Sequence, residues 1–215
     1  MTPAKLEFIE LCIAGEVLRF GEFKLKSGRI SPYFFNAGGF NRGGLLGPVA
    51  RHYARLIAER VSPPFMLYGP AYKGIPLAAA AALKLADDHN IDVGYAFNRK
   101  EVKDHGEGGG LVGADLNGRV VIIDDVITAG TSVGQSVAAI KAAGAVPHSV
   151  VIALDREETA DHHRLSAVQY VQKAHGIPVH ALITLRDLLD YLENTESTGK
   201  FTAAIRAYRE KYGVT

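Results

Sequence analysis

The chain has 215 residues, a length that suits one domain with a small appendage, and 47% of them are hydrophobic, enough for a real core and outside the composition of disorder. The formal net charge is only +1, so no overall field favours nucleic acid or an anionic membrane, and any anionic ligand has to be caught by local charge. Cys12 is the only cysteine, which excludes an intramolecular disulfide framework and a cysteine-rich zinc site. The start MTPAKLEFIELC carries acids within its apolar stretch and does not read as a signal peptide, and no run of about 18 apolar residues is present to span a bilayer. A cytoplasmic protein without a membrane partner is expected.

From the N-terminus, Thr2-Pro3 followed by Leu6, Phe8, Ile9, Leu11 and Ile13 predicts an amphipathic helix ending near Gly15. Residues Gly21 to Gly39 alternate apolar and polar side chains around Ser27-Gly28 and predict a β-hairpin. Helical spacing returns from Gly44 to Arg60, with Leu45, Val49, Tyr53, Leu56 and Ile57 on one face. A regular alternation follows: strand Phe65 to Tyr68, helix Ile75 to Asp88, strand Val93 to Phe97, strand Val120 to Ile123, helix Ser132 to Ala143 and strand Ser149 to Leu154. A helix from Ser166 to Ala174 has Ser166 and Gln169 placed as a capping box and Gly176 as its stop. Strand Val179 to Ile183 and helices Leu185 to Glu193 and Thr202 to Tyr212 complete the chain. Short apolar strands alternating with helices imply an α/β fold, a central parallel sheet flanked by helices, with ligands beyond the carboxyl ends of the strands. Between Phe97 and Arg119, about twenty glycine-rich residues without periodicity read as a long functional loop.

The most informative segment is VVIIDDVITAGTS, Val120 to Ser132. Four apolar residues lead to Asp124-Asp125; then Val126, Ile127, Thr128, Ala129, Gly130, Thr131 and Ser132 form a turn that opens a helix. Backbone N–H groups and threonine hydroxyls in such a turn can wrap an anion where the helix dipole also favours it. The acid pair is unsuited to phosphate. It can accept hydrogen bonds from the vicinal hydroxyls of a sugar, or help hold a magnesium ion through water. A phosphate beside a diol suggests ribose 5-phosphate; the plainer alternative is an acidic cap on an ordinary strand-turn-helix. Gly69-Pro70-Ala71-Tyr72-Lys73-Gly74 is a second turn at a strand's carboxyl end, able to present backbone N–H groups and one ammonium to a pyrophosphate. In the long loop, Arg99, Lys100 and Lys103 balance Glu101, Asp104 and Glu107, so the charge cancels; Gly106, Gly108, Gly109 and Gly110 give it freedom to close over a leaving group. Phe34 and Phe35 point to opposite faces of the hairpin, so one can join a core while the other covers a flat ring. Arg156, just past a buried strand, has the fork that binds carboxylates, unless it merely pairs with Glu157 or Glu158.

Taken together, these strings resemble a known family. Val120 to Ser132 is similar to the phosphoribosyl-pyrophosphate signature of type I phosphoribosyltransferases, NRKEVKDHGEGG resembles the catalytic loop of orotate phosphoribosyltransferases, and FKLKSGRISPYFFNAG resembles the segment that forms their hood. The resemblance covers nearly the whole chain. It implies one phosphoribosyltransferase domain over residues 1–215, with residues 1–40 as a hood made of a helix and a β-hairpin. It further implies transfer of phosphoribosyl from phosphoribosyl pyrophosphate to orotate, giving orotidine 5′-monophosphate in pyrimidine biosynthesis. Asp124 and Asp125 would then face the ribose hydroxyls, and Val126 through Ser132 would hold the 5-phosphate. Lys26, Tyr72, Lys73, Arg99, Lys100, Lys103 and His105 would contact the pyrophosphate substrate, with Lys103 as the main catalytic group. Phe34, Phe35, Thr128 and Arg156 would bind orotate. The family's loop closes over the neighbouring subunit's site, so a homodimer is implied, with Mg2+ brought in on the pyrophosphate.

Two other signals are set aside. Gly108 to Gly113 formally matches G-x-G-x-x-G but follows a charged loop and opens no clear helix. Asp161-His162-His163 lacks a further ligand at helical spacing, so no metal is assigned to the protein itself, and no nucleic-acid-reading module is evident.

Overall fold

The computed structural model describes residues 1–25, 27–99, 110–159, 164–195 and 201–214. Helix α1 (Pro3–Ala14) starts with proline in its first turn, where the missing N–H costs nothing, and buries Phe8, Ile9 and Cys12. Strands β1 (Leu18–Lys24) and β2 (Ile30–Phe35) pair antiparallel, Leu18 opposite Phe35 and Lys24 opposite Ile30, with an irregularity between Phe20 and Phe23. The predicted hairpin is therefore present, but it begins three residues before Gly21 and ends at Phe35, followed by a short 3-10 turn (Ala37–Gly39).

The remaining elements are α2 (Gly43–Arg60), β3 (Met66–Tyr68), α3 (Gly74–His89), β4 (Tyr95–Asn98), β5 (Leu111–Gly113), β6 (Arg119–Ile123) and α4 (Thr131–Ala142). They continue with β7 (Val146–Asp155), α5 (Ala167–His175), β8 (Val179–Thr184), α6 (Leu185–Glu193) and α7 (Thr202–Tyr212). The capping box of Ser166 and Gln169 forms as predicted, and Gly176 ends α5 in the left-handed conformation. Strands β3 to β8 make one sheet in the order β5-β4-β3-β6-β7-β8, parallel throughout except for β5, which runs antiparallel to β4.

Alternation along the central strands divides the core in two. Val121 and Ile123 of β6 and Val151 and Ala153 of β7 face a layer built from α1, α2, α3, α6, α7 and the hairpin. Val120 and Ile122, with Val150 and Ile152, face the layer of α4 and α5. Covering both faces is what lets the strands be continuously apolar. The edge strand β5 is a departure from expectation, since it lies inside Phe97 to Arg119, a stretch whose sequence predicts a loop. It has only three residues, largely open to solvent, and ends at Gly113 with φ 106°, so neither length nor alternation advertises it. Leu111–Gly113 is strand rather than the start of a helix, in keeping with the rejection of the glycine-rich fingerprint there.

Among the described residues no helix is long and apolar enough to cross a membrane.

Candidate active site

The chain order reverses between β3 and β6: from β3 it steps outward to β4, and from β6 it steps the other way to β7 and β8. Helix α3 leaves β3 toward one face, and α4 leaves β6 toward the other. Their diverging N-termini open a crevice at the carboxyl ends of β3 and β6, the place where open α/β sheets take ligands. The two turns singled out in the sequence meet here, because Tyr68 is paired with Ile122 in adjacent strands.

A cavity of about 260 Å³ is lined by Asp124, Val126 to Ser132 and Val133. The turn is open and has room for a small phosphorylated sugar. Gly130 caps α4 with φ 75°, and a Cβ there would lie 3.1 Å from Val171 of α5, so both backbone and packing require glycine. Thr128, Ala129, Thr131 and Ser132 are exposed to the crevice, whereas Ile127 is buried and ties the turn to the α4–α5 layer.

Beneath the turn, Asp124 and Asp125 are both buried, at 8% and 6% exposure. Asp124 Oδ1 accepts the backbone N–H of Asp125 at 2.9 Å, and its Oδ2 accepts the Ser132 hydroxyl at 3.2 Å. Burial first, then the neighbouring charge of Asp125, pushes the Asp124 carboxyl up to about 7. Asp125 Oδ2 is paired with Lys73 Nζ at 2.8 Å, so the lysine of the first turn and an acid of the second already touch. Gly74 makes that approach possible, since a Cβ there would stand 2.7 Å from the carbonyl oxygen of Ile123. Tyr72, beside Lys73, is exposed.

Two residues that the sequence did not reveal hold this arrangement. The buried Tyr53 hydroxyl donates to the carbonyl of Asp124 at 2.8 Å, and the Asn98 side-chain oxygen accepts the N–H of Ala71 at 2.8 Å. The second contact ties the end of β4, and Arg99 after it, to the Gly69–Gly74 turn. Asn98 is the one amide closing the otherwise apolar strand β4, a faint signal; Tyr53 carries none, being indistinguishable from a core residue of α2.

Arg156 directly follows β7, at the same end of the sheet as Asp124, and Ser31 and Tyr33 of the hairpin reach it. It pairs with Glu158 at 2.8 Å, the alternative weighed from the sequence. On β2, Phe35 shares the buried face of Tyr33 and packs against Phe40, while Phe34 lies on the opposite face, stacked on Phe23 at 5.4 Å with Arg19 beside both rings. The hairpin thus splits the phenylalanine pair as alternation requires, and it is the Ser31–Tyr33 face that meets Arg156. Lys26, Lys100, Lys103 and His105 lie outside the described residues.

Among the described residues no group of three or more His, Cys, Asp or Glu is placed to hold a metal ion. The site offers two carboxylates, one of them engaged by Lys73. That set fits a magnesium ion that keeps most of its waters and is held by one or two carboxylates.

The turn at the α4 N-terminus, the acid pair beneath it and the lysine across the switch-point crevice all lie within a phosphoribosyltransferase domain: a family model described as a phosphoribosyl transferase domain matches residues 46–180. The chain is 56% identical over 213 residues to an orotate phosphoribosyltransferase of Methylococcus capsulatus, covering 99% of each. It is 53% identical over 214 residues to the one of Thioalkalivibrio sulfidiphilus, covering 100% of each. The crystal structure of the Francisella tularensis orotate phosphoribosyltransferase superimposes with a TM-score of 0.86 at 43% identity, over 96% of this chain and 99% of that one. The chain belongs to the orotate phosphoribosyltransferase family.

Proposed function

We propose that the protein transfers the phosphoribosyl group of 5-phospho-α-D-ribose 1-diphosphate to N1 of orotate, giving orotidine 5′-monophosphate and pyrophosphate for pyrimidine biosynthesis. The observation that carries this reading is the open cradle Val126–Ser132 directly above Asp124-Asp125, with Lys73 across the crevice. The backbone amides at the start of α4 would take the 5-phosphate, where N–H groups and helix dipole both favour negative charge. Asp124 and Asp125 accept hydrogen bonds from the ribose hydroxyls, which fixes C1 of the sugar over the crevice. Orotate N1 then attacks C1 as the C1–oxygen bond to pyrophosphate breaks, with inversion. The charge of orotate at neutral pH sits on its carboxylate, so the proton on N1 leaves as the bond forms and passes to water or to an oxygen of the departing pyrophosphate. No strong general base on the protein is required.

The demanding step is departure of a multiply charged leaving group from a carbon that becomes cationic. Lys73 leaves Asp125 for the pyrophosphate, and Arg99, Lys100, Lys103 and His105 close on it, with Lys26 from the hairpin. Each well-placed charged donor contributes roughly 3 kcal/mol in the transition state. Magnesium bound on the pyrophosphate supplies further charge neutralisation. Closure of the segment around Lys103 keeps water from the activated sugar. Arg156 takes the carboxylate that distinguishes orotate from uracil, with Thr128 and the Phe34-Phe35 strand around the ring. The enzyme works in the cytoplasm as a homodimer of single-domain subunits, with active sites shared across the interface.

Following orotate's ultraviolet absorbance after adding phosphoribosyl pyrophosphate tests the reading. Absorbance should fall with magnesium, stop falling on chelation, and no product should form when hypoxanthine replaces orotate. Consumption of hypoxanthine in preference to orotate would overturn it.

A further inference from the structure

The Arg156 guanidinium is held more elaborately than a solvent-facing arginine needs. Its Nη2 and Nε donate to one oxygen of Glu158, Oε1, at 2.8 and 3.1 Å, and Nη2 also reaches the Ser31 hydroxyl at 3.4 Å. The Tyr33 ring lies 4.5 Å from the guanidinium carbon. Glu158 is itself fixed at both oxygens: the Tyr33 hydroxyl donates to Oε1 at 2.7 Å and the Tyr208 hydroxyl to Oε2 at 3.0 Å. Burial, reinforced by the Glu158 charge and only partly offset by Arg156, holds both phenols above their ordinary range, so both stay protonated donors near neutral pH.

The backbone around Glu158 is tied down from the same side. Glu158 and Gly213 form an antiparallel bridge, Val214 N–H donates to the Glu157 carbonyl at 2.8 Å, and Thr159 N–H donates to the Tyr212 carbonyl at 2.8 Å. Three parts of the chain distant in sequence, β2, the segment after β7 and α7, therefore converge on one carboxylate. Replacing a buried ion pair with apolar residues is often neutral for stability, so stability alone is a weak reason for this one. Its geometry offers a better one. Glu158 occupies the Nε–Nη2 edge of the fork, Tyr208 also interacts with the guanidinium, and the Tyr33 ring lies beside it. The hydrogen bonds to Glu158 and Ser31 do not engage Nη1.

We propose that Glu158, clamped by Tyr33 and by Tyr208 of the C-terminal helix, is a positioning residue that aims the Nη1 edge of Arg156 at the carboxylate of orotate. This rests on the reading of Arg156 given above and deepens it. A consequence is opposite in sign to simple charge reasoning. Glu158 places a negative charge close to the orotate carboxylate, so electrostatics alone would have Glu158→Gln tighten orotate binding. Positioning requires that it weaken.

Steady-state kinetics on the full-length enzyme, varying each substrate separately, distinguish the two. Tyr208→Phe, which removes one hydroxyl, should raise the orotate KM about fivefold, and Glu158→Gln about tenfold, with the phosphoribosyl pyrophosphate KM unchanged within about twofold. In an Arg156→Ala background, adding Tyr208→Phe should change the orotate KM by less than about twofold, because the two act along one path. Should Glu158→Gln not fold, Tyr208→Phe and Tyr33→Phe carry the test by themselves. If Arg156→Ala raises only the orotate KM while Glu158→Gln leaves it unchanged or lowers it, the clamp does not position the arginine. An equal rise of both KM values in Tyr208→Phe would likewise reduce the clamp to a support of the fold. If Arg156→Ala itself spares orotate, the carboxylate pocket is misplaced and the inference falls with it.

Discussion

Asp124 is the residue at which burial and function pull hardest against each other. Its carboxyl is raised from 3.8 to about 7 by loss of solvent and by Asp125 next to it, with the hydroxyl of Ser132 and the Asp125 N–H offsetting only part of this. An acid whose folded value lies above its unfolded one binds its proton more tightly when folded, so stability is greatest below the unfolded value. It is lost as pH rises through the folded one. The cost of the buried charge is therefore absent near pH 3.8 and fully present above about 7. Asp124→Asn, which keeps an acceptor and removes the charge, should stabilise the ligand-free enzyme at pH 8 by on the order of 2 kcal/mol, roughly 4–8 °C in Tm, and lower the transfer rate. Thermal melts at pH 8 and near pH 4 check it: a gain of equal size at both would show that charge burial is not the cause.

Helix α4 and the turn before it are the element that makes the cradle, and Gly130 is its weak point. With φ at 75° and Val171 3.1 Å from a would-be Cβ, Gly130→Ala strains the backbone and presses on α5 together. The left-handed conformation alone costs about 1–2 kcal/mol for a residue with a Cβ. Tm should drop by several degrees and the KM for phosphoribosyl pyrophosphate should rise about tenfold, since the amides proposed to meet the phosphate shift with the turn. A drop in Tm without any change in that KM would show that the phosphate sits elsewhere. This turn was legible in the sequence because everything that defines it is contiguous: four apolar residues, two acids, a glycine at the helix start. The Gly69–Gly74 turn was legible for the same reason. Strand β5 was not, since three half-exposed residues leave no period to read, and β7 begins at Val146 rather than Ser149 because its first residues are partly exposed and lack the apolar run of its centre. Tyr53, Asn98, Tyr33 and Tyr208 were hidden for a different reason. Each acts through one polar atom meeting a partner at least 27 residues away, or 71 for Tyr53 and Asp124, and no local pattern encodes such a contact.

At the scale of the whole molecule, the question is which site the segment bearing Lys103 serves. Its base is closed by the Arg99 N–H donating to the Gly110 carbonyl at 2.8 Å, so the chain leaves and returns at the outer edge of the sheet, between β4 and β5. Tyr95 and Leu111 on those edge strands, with Leu83 on α3, keep apolar surface exposed. An open edge strand flanked by apolar side chains is a surface that a second copy can cover, which agrees with the homodimer proposed. If the segment then reaches across, two inactive variants should rescue one another. Asp125→Asn leaves the loop lysine intact, and Lys103→Ala leaves the crevice intact. After subunit exchange, each mixed dimer holds one site with both residues and one with neither. Equal amounts of the two variants should therefore recover about a quarter of the wild-type rate, half of the dimers being mixed and each carrying one working site. Lys103 acting within its own subunit leaves every site with one defect, and no activity would return. The rate after exchange, compared with that of the unmixed variants, decides between a catalytic group borrowed from the neighbour and one supplied by the same chain.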